Sequence, residues 1–154
     1  MTNAPSSPDS HDHKQHADAH LTSAKNILIA QEDGWTVTAA FYSAFHVMRA
    51  ATLADPIWEK GPSALTRVNP HLTLDCRNSS HHQGNPKAGR APGVRELVRW
   101  LYRKHSPKYV LLHAASITVR YGTGTSTLLS PANDYIDKAQ ELLDALKAGQ
   151  LKTR

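Results

Sequence analysis

One segment, residues 35–54 (WTVTAAFYSAFHVMRAATLA), limits the possible folds of this chain more than any other. On a helix its apolar residues fall on two sides, with Val37, Phe41, Ala44 and Met48 on one and Trp35, Ala39, Tyr42 and Phe45 on the other. A helix that is apolar nearly all round is a buried helix. Its alanines allow neighbouring helices to approach closely. The segment therefore predicts the central helix of a helical bundle.

Apolar residues spaced three and four apart predict further helices on both sides of this segment. The first covers residues 10–31 and stops before Asp33-Gly34. Three more cover residues 94–105, 107–121 and 131–148. No pair of alternating segments could form a credible sheet. We therefore predict an all-α fold, an antiparallel up-and-down bundle of four to five helices.

The segment between the second and third helices, residues 55–93, is predicted to be a long basic loop. It is interrupted throughout by Pro56, Pro62, Pro70, Pro86 and Pro92 and by Gly61, Gly84, Gly89 and Gly93. Loops longer than about 12–15 residues are uncommon in compact domains and often carry function. A short helical turn fits residues 63–68, and residues 71–76 alternate in polarity but have no partner strand.

The rest of the organisation follows from length and composition. A chain of 154 residues suits one domain, which we place at residues 11–148, after a flexible lead (1–10) and before a short tail (149–154). No apolar run approaches the roughly 20 residues that span a bilayer, and the first ten residues do not resemble a secretory signal. We expect a cytoplasmic protein without membrane contact. A lone cysteine, Cys76, excludes an internal disulfide.

Basic residues are concentrated at the end of the loop and in the segment that follows it. The formal net charge is +5, and residues 87–108 contain seven Lys or Arg against one acid. Arg95, Arg99 and Arg103 recur every four residues and form one stripe, which Lys87 and Arg90 precede. Such a surface can contact a phosphate backbone, although it can also be an ordinary solvated face.

Histidines are frequent, and two groups of them are candidates for a site. His13, His16 and His20 share one face of the first helix, and histidines four apart can bind a transition metal. A zinc site usually draws another ligand from elsewhere, and a solvated first turn explains the cluster as well. We therefore expect no metal and no cofactor. On the buried helix, His46 is expected to be a core histidine hydrogen-bonded to Tyr42 or Ser116, which makes these three a candidate polar core site.

Two strings resemble helices of the HEPN family of prokaryotes. FYSAFHVMRAA (residues 41–51) resembles the second HEPN helix, and KYVLLHAASITVRYG (108–122), with Ser116 and Arg120-Tyr121, resembles a later one. The resemblance covers roughly residues 17–147. It implies an antiparallel helical bundle, usually a homodimer. Many members are metal-independent ribonucleases of toxin–antitoxin, CRISPR and phage-defence systems, while others have lost catalysis and bind RNA, nucleotides or protein partners.

The family's sharper mark is an Arg followed four to six residues later by a His, often with Asn directly after the Arg. Arg77, Asn78 and His82 match it, with His81 as a second histidine. In catalytic members the histidine moves a proton near neutral pH and the arginine stabilises charge on the phosphate. Here the motif lies in the loop, whereas those members carry it on a late helix. On the late helix of this chain, Arg120 is followed by no histidine.

Two functions follow from the resemblance. The first is an RNA-directed protein, in its sharpest form a metal-independent endoribonuclease with His82 (or His81) as acid and base, Arg77 on the phosphate, and RNA bound by Lys87, Arg90, Arg95, Arg99, Arg103 and Arg120. The second is a catalytically inactive binding or scaffolding subunit of a larger defence or toxin–antitoxin complex. A small-molecule enzyme is disfavoured because paired carboxylates and a glycine-rich phosphate loop are both missing from the sequence.

Overall fold

A computed structural model describes residues 10–30, 33–122, 128 and 130–153. In this part of the chain every regular element is helical. The six α-helices are α1 (Ser10–Ile29), α2 (Asp33–Ala54), α3 (Pro62–Val68), α4 (Val94–Leu101), α5 (Ser106–Tyr121) and α6 (Ala132–Lys147). The predicted all-α class is confirmed. Residues 1–9, most of the predicted lead, lie outside the described residues.

Residues 55–93 contain more regular structure than the sequence predicts. Besides α3 they form three 3-10 helices, Pro56–Glu59, Leu74–Asn78 and Pro86–Ala88. In three of these four elements a proline occupies the first turn. Proline is favoured there because its missing N–H would have no helical partner anyway. These prolines therefore begin helices, and α3 raises the helix count above the predicted four to five.

The central position of α2 is shown by its burial. Val37, Ala40, Phe41, Ala44 and other core-facing residues of α2 are fully inaccessible. On one side α1 runs antiparallel to it, since the Ser10 hydroxyl donates to the Ala50 carbonyl (2.8 Å) and the Ser43 hydroxyl to the Ala17 carbonyl (2.8 Å). The predicted burial of this helix is therefore confirmed.

The remaining long helices close around this pair. The Phe41 ring lies against Tyr109 and His113 of α5. On α6, the Lys147 ammonium bonds to Asp18 of α1 (2.9 Å), and Gln140 accepts from Lys25 (3.0 Å). These two contacts make α1 and α6 antiparallel neighbours. None of the described helices is long and apolar enough to cross a membrane.

A buried carboxylate, that of Asp55, ties together three distant parts of the chain. Its oxygens accept hydrogen bonds from the Ile57 amide (2.9 Å), the Tyr102 hydroxyl (2.8 Å) and the Thr153 amide and hydroxyl (2.9 and 3.0 Å). Tyr102 directly follows α4, which ends four residues before the predicted His105. Next to Thr153, the Leu151 side chain is only 5% exposed. Leu151 and Thr153 therefore pack onto the domain.

We predict that Tyr102→Phe lowers the free energy of unfolding by about 1.5–3 kcal/mol, the usual range for a hydrogen bond to a charged group. Urea unfolding followed by circular dichroism measures it. The matched control is Tyr121→Phe, because that side chain is 74% exposed, and the change there should stay within about 0.5 kcal/mol. Equal effects of the two substitutions would contradict the role given to Asp55.

Candidate functional site

Residues 79–84 are fixed against the start of α4 by their backbone. The amides of Val94 and Arg95 donate to the carbonyls of His81 (2.8 Å) and His82 (3.0 Å). The Glu96 carboxylate accepts from the Gly84 and Gly93 amides (2.9 and 2.8 Å). A Cβ on Gly84 would lie 2.0 Å from a backbone oxygen, so a larger residue cannot replace it there. The position of His82 is therefore set by its neighbours on both sides.

The His82 side chain points toward α2 and packs among aromatic rings. Its ring centroid lies 4.7 Å from that of Phe45, 5.3 Å from Phe41 and 5.8 Å from Tyr42. The ring of His113, on α5, is also 5.8 Å away. Among the described residues, none hydrogen-bonds to the buried Nδ1 atom of His82 or of His113. A loop residue thus completes a cluster built by two helices.

Arg120 meets the same cluster from α5. Its Nε donates to the Ser116 carbonyl (3.1 Å), its Nη2 to the Ser116 hydroxyl (3.3 Å) and its Nη1 to the Tyr42 hydroxyl (3.4 Å). The guanidinium carbon is 5.8 Å from the Tyr42 ring centroid and 5.3 Å from that of Tyr121. Tyr42 therefore contacts both Arg120 and His82. We call Tyr42, His82, His113, Ser116 and Arg120 the Tyr42 cluster.

The environment keeps the cluster's histidines neutral near pH 7. Burial, and after it the positive charge of Arg120, lowers the pKa of His82. Burial, and after it the electrostatic interaction with His82, lowers the pKa of His113 to about 4. A neutral imidazole has a lone pair that can accept a proton. Arg120 is then the cationic group of the cluster.

A groove of about 470 Å³ adjoins Arg120 between the start of α2 and the end of α5. Its lining includes Trp35 and Thr38 of α2 and Val119 of α5. Trp35 is 63% exposed, the exception among the large apolar residues of α2. An arginine, an exposed aromatic ring and a histidine cluster thus lie next to one another.

Arg77 is held elsewhere. Its Nε and Nη2 donate to the Leu53 carbonyl (3.0 and 2.8 Å), and its Nη1 is 3.5 Å from Glu59. Leu53 follows Tyr42 by eleven residues, or roughly 16 Å along α2 at ~1.5 Å per residue. The structure therefore does not bring the guanidinium of Arg77 to the ring of His82. Asn78 and His81 are exposed.

The basic residues proposed to bind nucleic acid lie mostly on the surface. Lys87 and Arg90, at the last 3-10 helix and just after it, are exposed, as are Arg99 and Arg103. Arg95 is half-buried, and its Nη1 donates to Gln83 (3.4 Å). The positive charge of Arg95 also lowers the pKa of His113. The stripe thus begins at the Tyr42 cluster and continues into solvent.

The histidines of α1 have a partner that the sequence does not predict. His46 bonds through Nδ1 to Nδ1 of His13 (2.8 Å) rather than to Tyr42 or Ser116. One ring nitrogen each of His16, His20 and His46 lie within 4.8 Å of one another. The predicted polar core site is therefore divided: Tyr42 and Ser116 belong to the Tyr42 cluster, whereas His46 faces α1.

His113 is absent from the candidates named from the sequence, but helical spacing could have found it. His113 precedes Ser116 by three residues and Arg120 by seven, which places all three on one face of α5. His46 lies on the side of α2 that α1 covers. Helical spacing does not say which helices become neighbours, and that information comes from the fold.

Comparison of the chain with models of protein families, with curated proteins and with solved structures finds no significant match. The HEPN resemblance therefore remains a prediction carried by the quoted strings of α2 and α5. Both strings contribute residues to the Tyr42 cluster.

The buried histidine of α5 predicts a loss of stability in acid. His113 faces His82, Arg95, Arg120 and Glu96. Its pKa is near 4 when folded, against 6.5 for an ordinary histidine, so between these values the unfolded chain binds the extra proton. This contribution to stability is complete above pH 6.5 and is lost as the pH falls toward 4.

We expect His113→Leu to reduce the drop in unfolding free energy between pH 7 and pH 5 by about 1 kcal/mol, after allowance for partial solvent screening. Urea titrations at the two pH values measure it. His71→Leu, at an exposed histidine, serves as the control and should leave the drop unchanged. If His113→Leu behaves like this control, the burial of a neutral His113 is contradicted.

Proposed function

We propose that this protein is a HEPN-like, RNA-directed protein whose Tyr42 cluster receives an RNA phosphate, and that it acts as a metal-independent endoribonuclease. The observation that carries the proposal is the convergence of Arg120 and His82 on Tyr42. It supplies the arginine and histidine that the chemistry needs, with Arg120 in place of Arg77.

Arg120 retains hydrogen-bonding capacity for a phosphate. A guanidinium has five N–H donors, and the three bonds to Ser116 and Tyr42 use one each of Nε, Nη1 and Nη2. One donor therefore remains on each terminal nitrogen. A pair of this kind matches two oxygens of a phosphate. The groove beside Arg120 and the exposed Trp35 ring give a flanking base a place to stack.

His82 supports the proton-transfer step. In RNA cleavage a base removes the proton of the 2′-hydroxyl, whose oxygen attacks the adjacent phosphorus and displaces the 5′-oxygen. His82 is neutral near pH 7 and packs, like Arg120, against Tyr42, so it can accept that proton. Arg120 would stabilise the charge on the phosphate oxygens. The proton for the leaving oxygen would come from the Tyr42 hydroxyl or from water.

A second function, an inactive binding or scaffolding subunit of a defence or toxin–antitoxin complex, is favoured by the placement of Arg77. The Arg77 side chain bonds to the Leu53 carbonyl at the end of α2. Arg77 and His82, which match the HEPN motif in sequence, therefore do not form one site. The exposed residues Lys87, Arg90, Arg99 and Arg103 would still attract RNA in such a subunit. A homodimer is part of both proposals, and sedimentation of the purified chain tests it.

The decisive measurement is RNA cleavage in the presence of EDTA. We expect wild-type protein to cleave and His82→Ala to lose at least about 100-fold in rate, a typical contribution of acid–base catalysis. His81→Ala is the matched control, because the neighbouring His81 is exposed and should be dispensable. Binding without cleavage by the wild type would select the inactive subunit, and no binding at all would contradict the RNA-directed function.

Arg120→Lys tests the phosphate contact separately. Lysine keeps the charge but loses the planar fork, so we expect cleavage, or RNA affinity where cleavage is absent, to fall at least tenfold. Arg67→Lys, at an exposed arginine of α3, is the control. If Arg120→Lys retains full activity, a forked contact with the phosphate is ruled out.

The surface stripe predicts a salt-dependent contribution. Replacing Arg99 and Arg103 by Gln should reduce the slope of log affinity against log salt by roughly one for each phosphate that is no longer neutralised. Fluorescence anisotropy with a labelled RNA measures this slope. An unchanged slope would show that these two arginines form only a solvated face.

A further inference from the structure

A group of histidines on the α1 side of α2 has no part in the proposed chemistry. His16 and His20 lie four residues apart on α1, and His46 faces them from α2. The His46 ring centroid is 5.0 Å from that of His16 and 5.3 Å from that of His20. Three imidazoles from two helices thus meet on one side of the bundle.

We propose that His16, His20 and His46 bind one divalent transition-metal ion of the zinc class, with His13 orienting His46. Imidazole nitrogen is a preferred ligand of Zn²⁺, Co²⁺, Ni²⁺ and Cu²⁺. The candidate ligand atoms lie within 4.8 Å of one another. Tetrahedral zinc with bonds of about 2.0–2.1 Å places its nitrogens roughly 3.3 Å apart. Side-chain rotations that move each nitrogen by about 1 Å would therefore complete the site.

The bond between His13 and His46 supports this assignment independently of the ligand spacing. It occupies Nδ1 of His46 (2.8 Å) and leaves Nε2 as the nitrogen available to a metal. A metal on Nε2 requires the proton on Nδ1, and His13 Nδ1 can accept that hydrogen bond. Histidine ligands usually donate their second N–H to such a partner, which fixes the orientation of the ring. The His13 side chain is buried and can hold this position.

The arrangement also decides what kind of site this would be. Three protein ligands leave a fourth tetrahedral position, as in catalytic rather than structural zinc sites. His16 is exposed, so water can reach that position. Arg49, whose positive charge acts on His13 and His46, opposes a second positive charge nearby. We therefore expect a site that binds metal reversibly rather than one that the fold requires.

The test uses the full chain without an affinity tag, stripped with EDTA and then dialysed. Calorimetric titration with Zn²⁺ should give one ion per chain, and Co²⁺ should develop the intense visible absorption of four-coordinate cobalt. Loss of a residue that hydrogen-bonds to a metal ligand typically lowers metal affinity about 10–100-fold, and we expect this loss for His13→Gln. His16→Ala and His46→Gln remove ligands themselves and should each lower the affinity by more. His11→Ala, on the same helix, is the control and should bind like the wild type.

Two outcomes overturn the proposal. One is wild-type protein that fails to bind Zn²⁺ one to one. The other is His46→Gln with unchanged affinity, which would mean that the pair on α1 chelates the metal alone. If His46→Gln fails to fold by circular dichroism, the cobalt spectrum of the wild type decides, because a pair completed by water gives only weak six-coordinate bands. The RNA assay contains EDTA, so the two proposals fail separately.

Discussion

The burial of α2 on nearly every side is the constraint on which the structure depends. A helix apolar all round has no face for water, so other elements must cover it, and α1, α5, α6 and the segment before α4 do so. Its alanines make this sterically possible, since Ala40 and Ala44 are fully inaccessible. Removing any covering element would expose apolar side chains of α2 to water, which is unfavourable.

The same burial explains why the polar residues of α2 become important. Most polar groups on a covered helix form hydrogen bonds, and two side chains of α2 find their partners on the helices that cover it. Tyr42 meets Arg120 of α5 and His46 meets His13 of α1. The two candidate sites are therefore neighbours, because Tyr42 and His46 lie one helical turn apart on α2. Their different partners give them different chemistry, with an arginine and a histidine around Tyr42 and a group of histidines around His46.

Periodicity is enough to predict the helical class and the burial of α2, because both follow from the spacing of apolar residues. It cannot predict which polar residues meet. Arg77 and His82 are close in sequence, yet their side chains have different partners. Arg77, in the 3-10 helix that ends at Asn78, bonds to the Leu53 carbonyl, whereas the His82 ring packs against Phe45. The prolines of residues 55–93 are likewise ambiguous, since proline ends one helix and begins another. Long-range partners such as His13 for His46 depend on packing that no local pattern encodes.

The hydrogen bonds of the Asp55 carboxylate have a consequence for the order in which parts of the chain can fold. Its Thr153 donors are 98 residues further along the chain, so they leave the ribosome long after α2 has done so. Before then the carboxylate lacks the two Thr153 donors that compensate for its burial in the folded chain. The end of α2 is therefore expected to reach its folded arrangement late, after α6 has been synthesised. Contacts between residues far apart in sequence also slow folding in general.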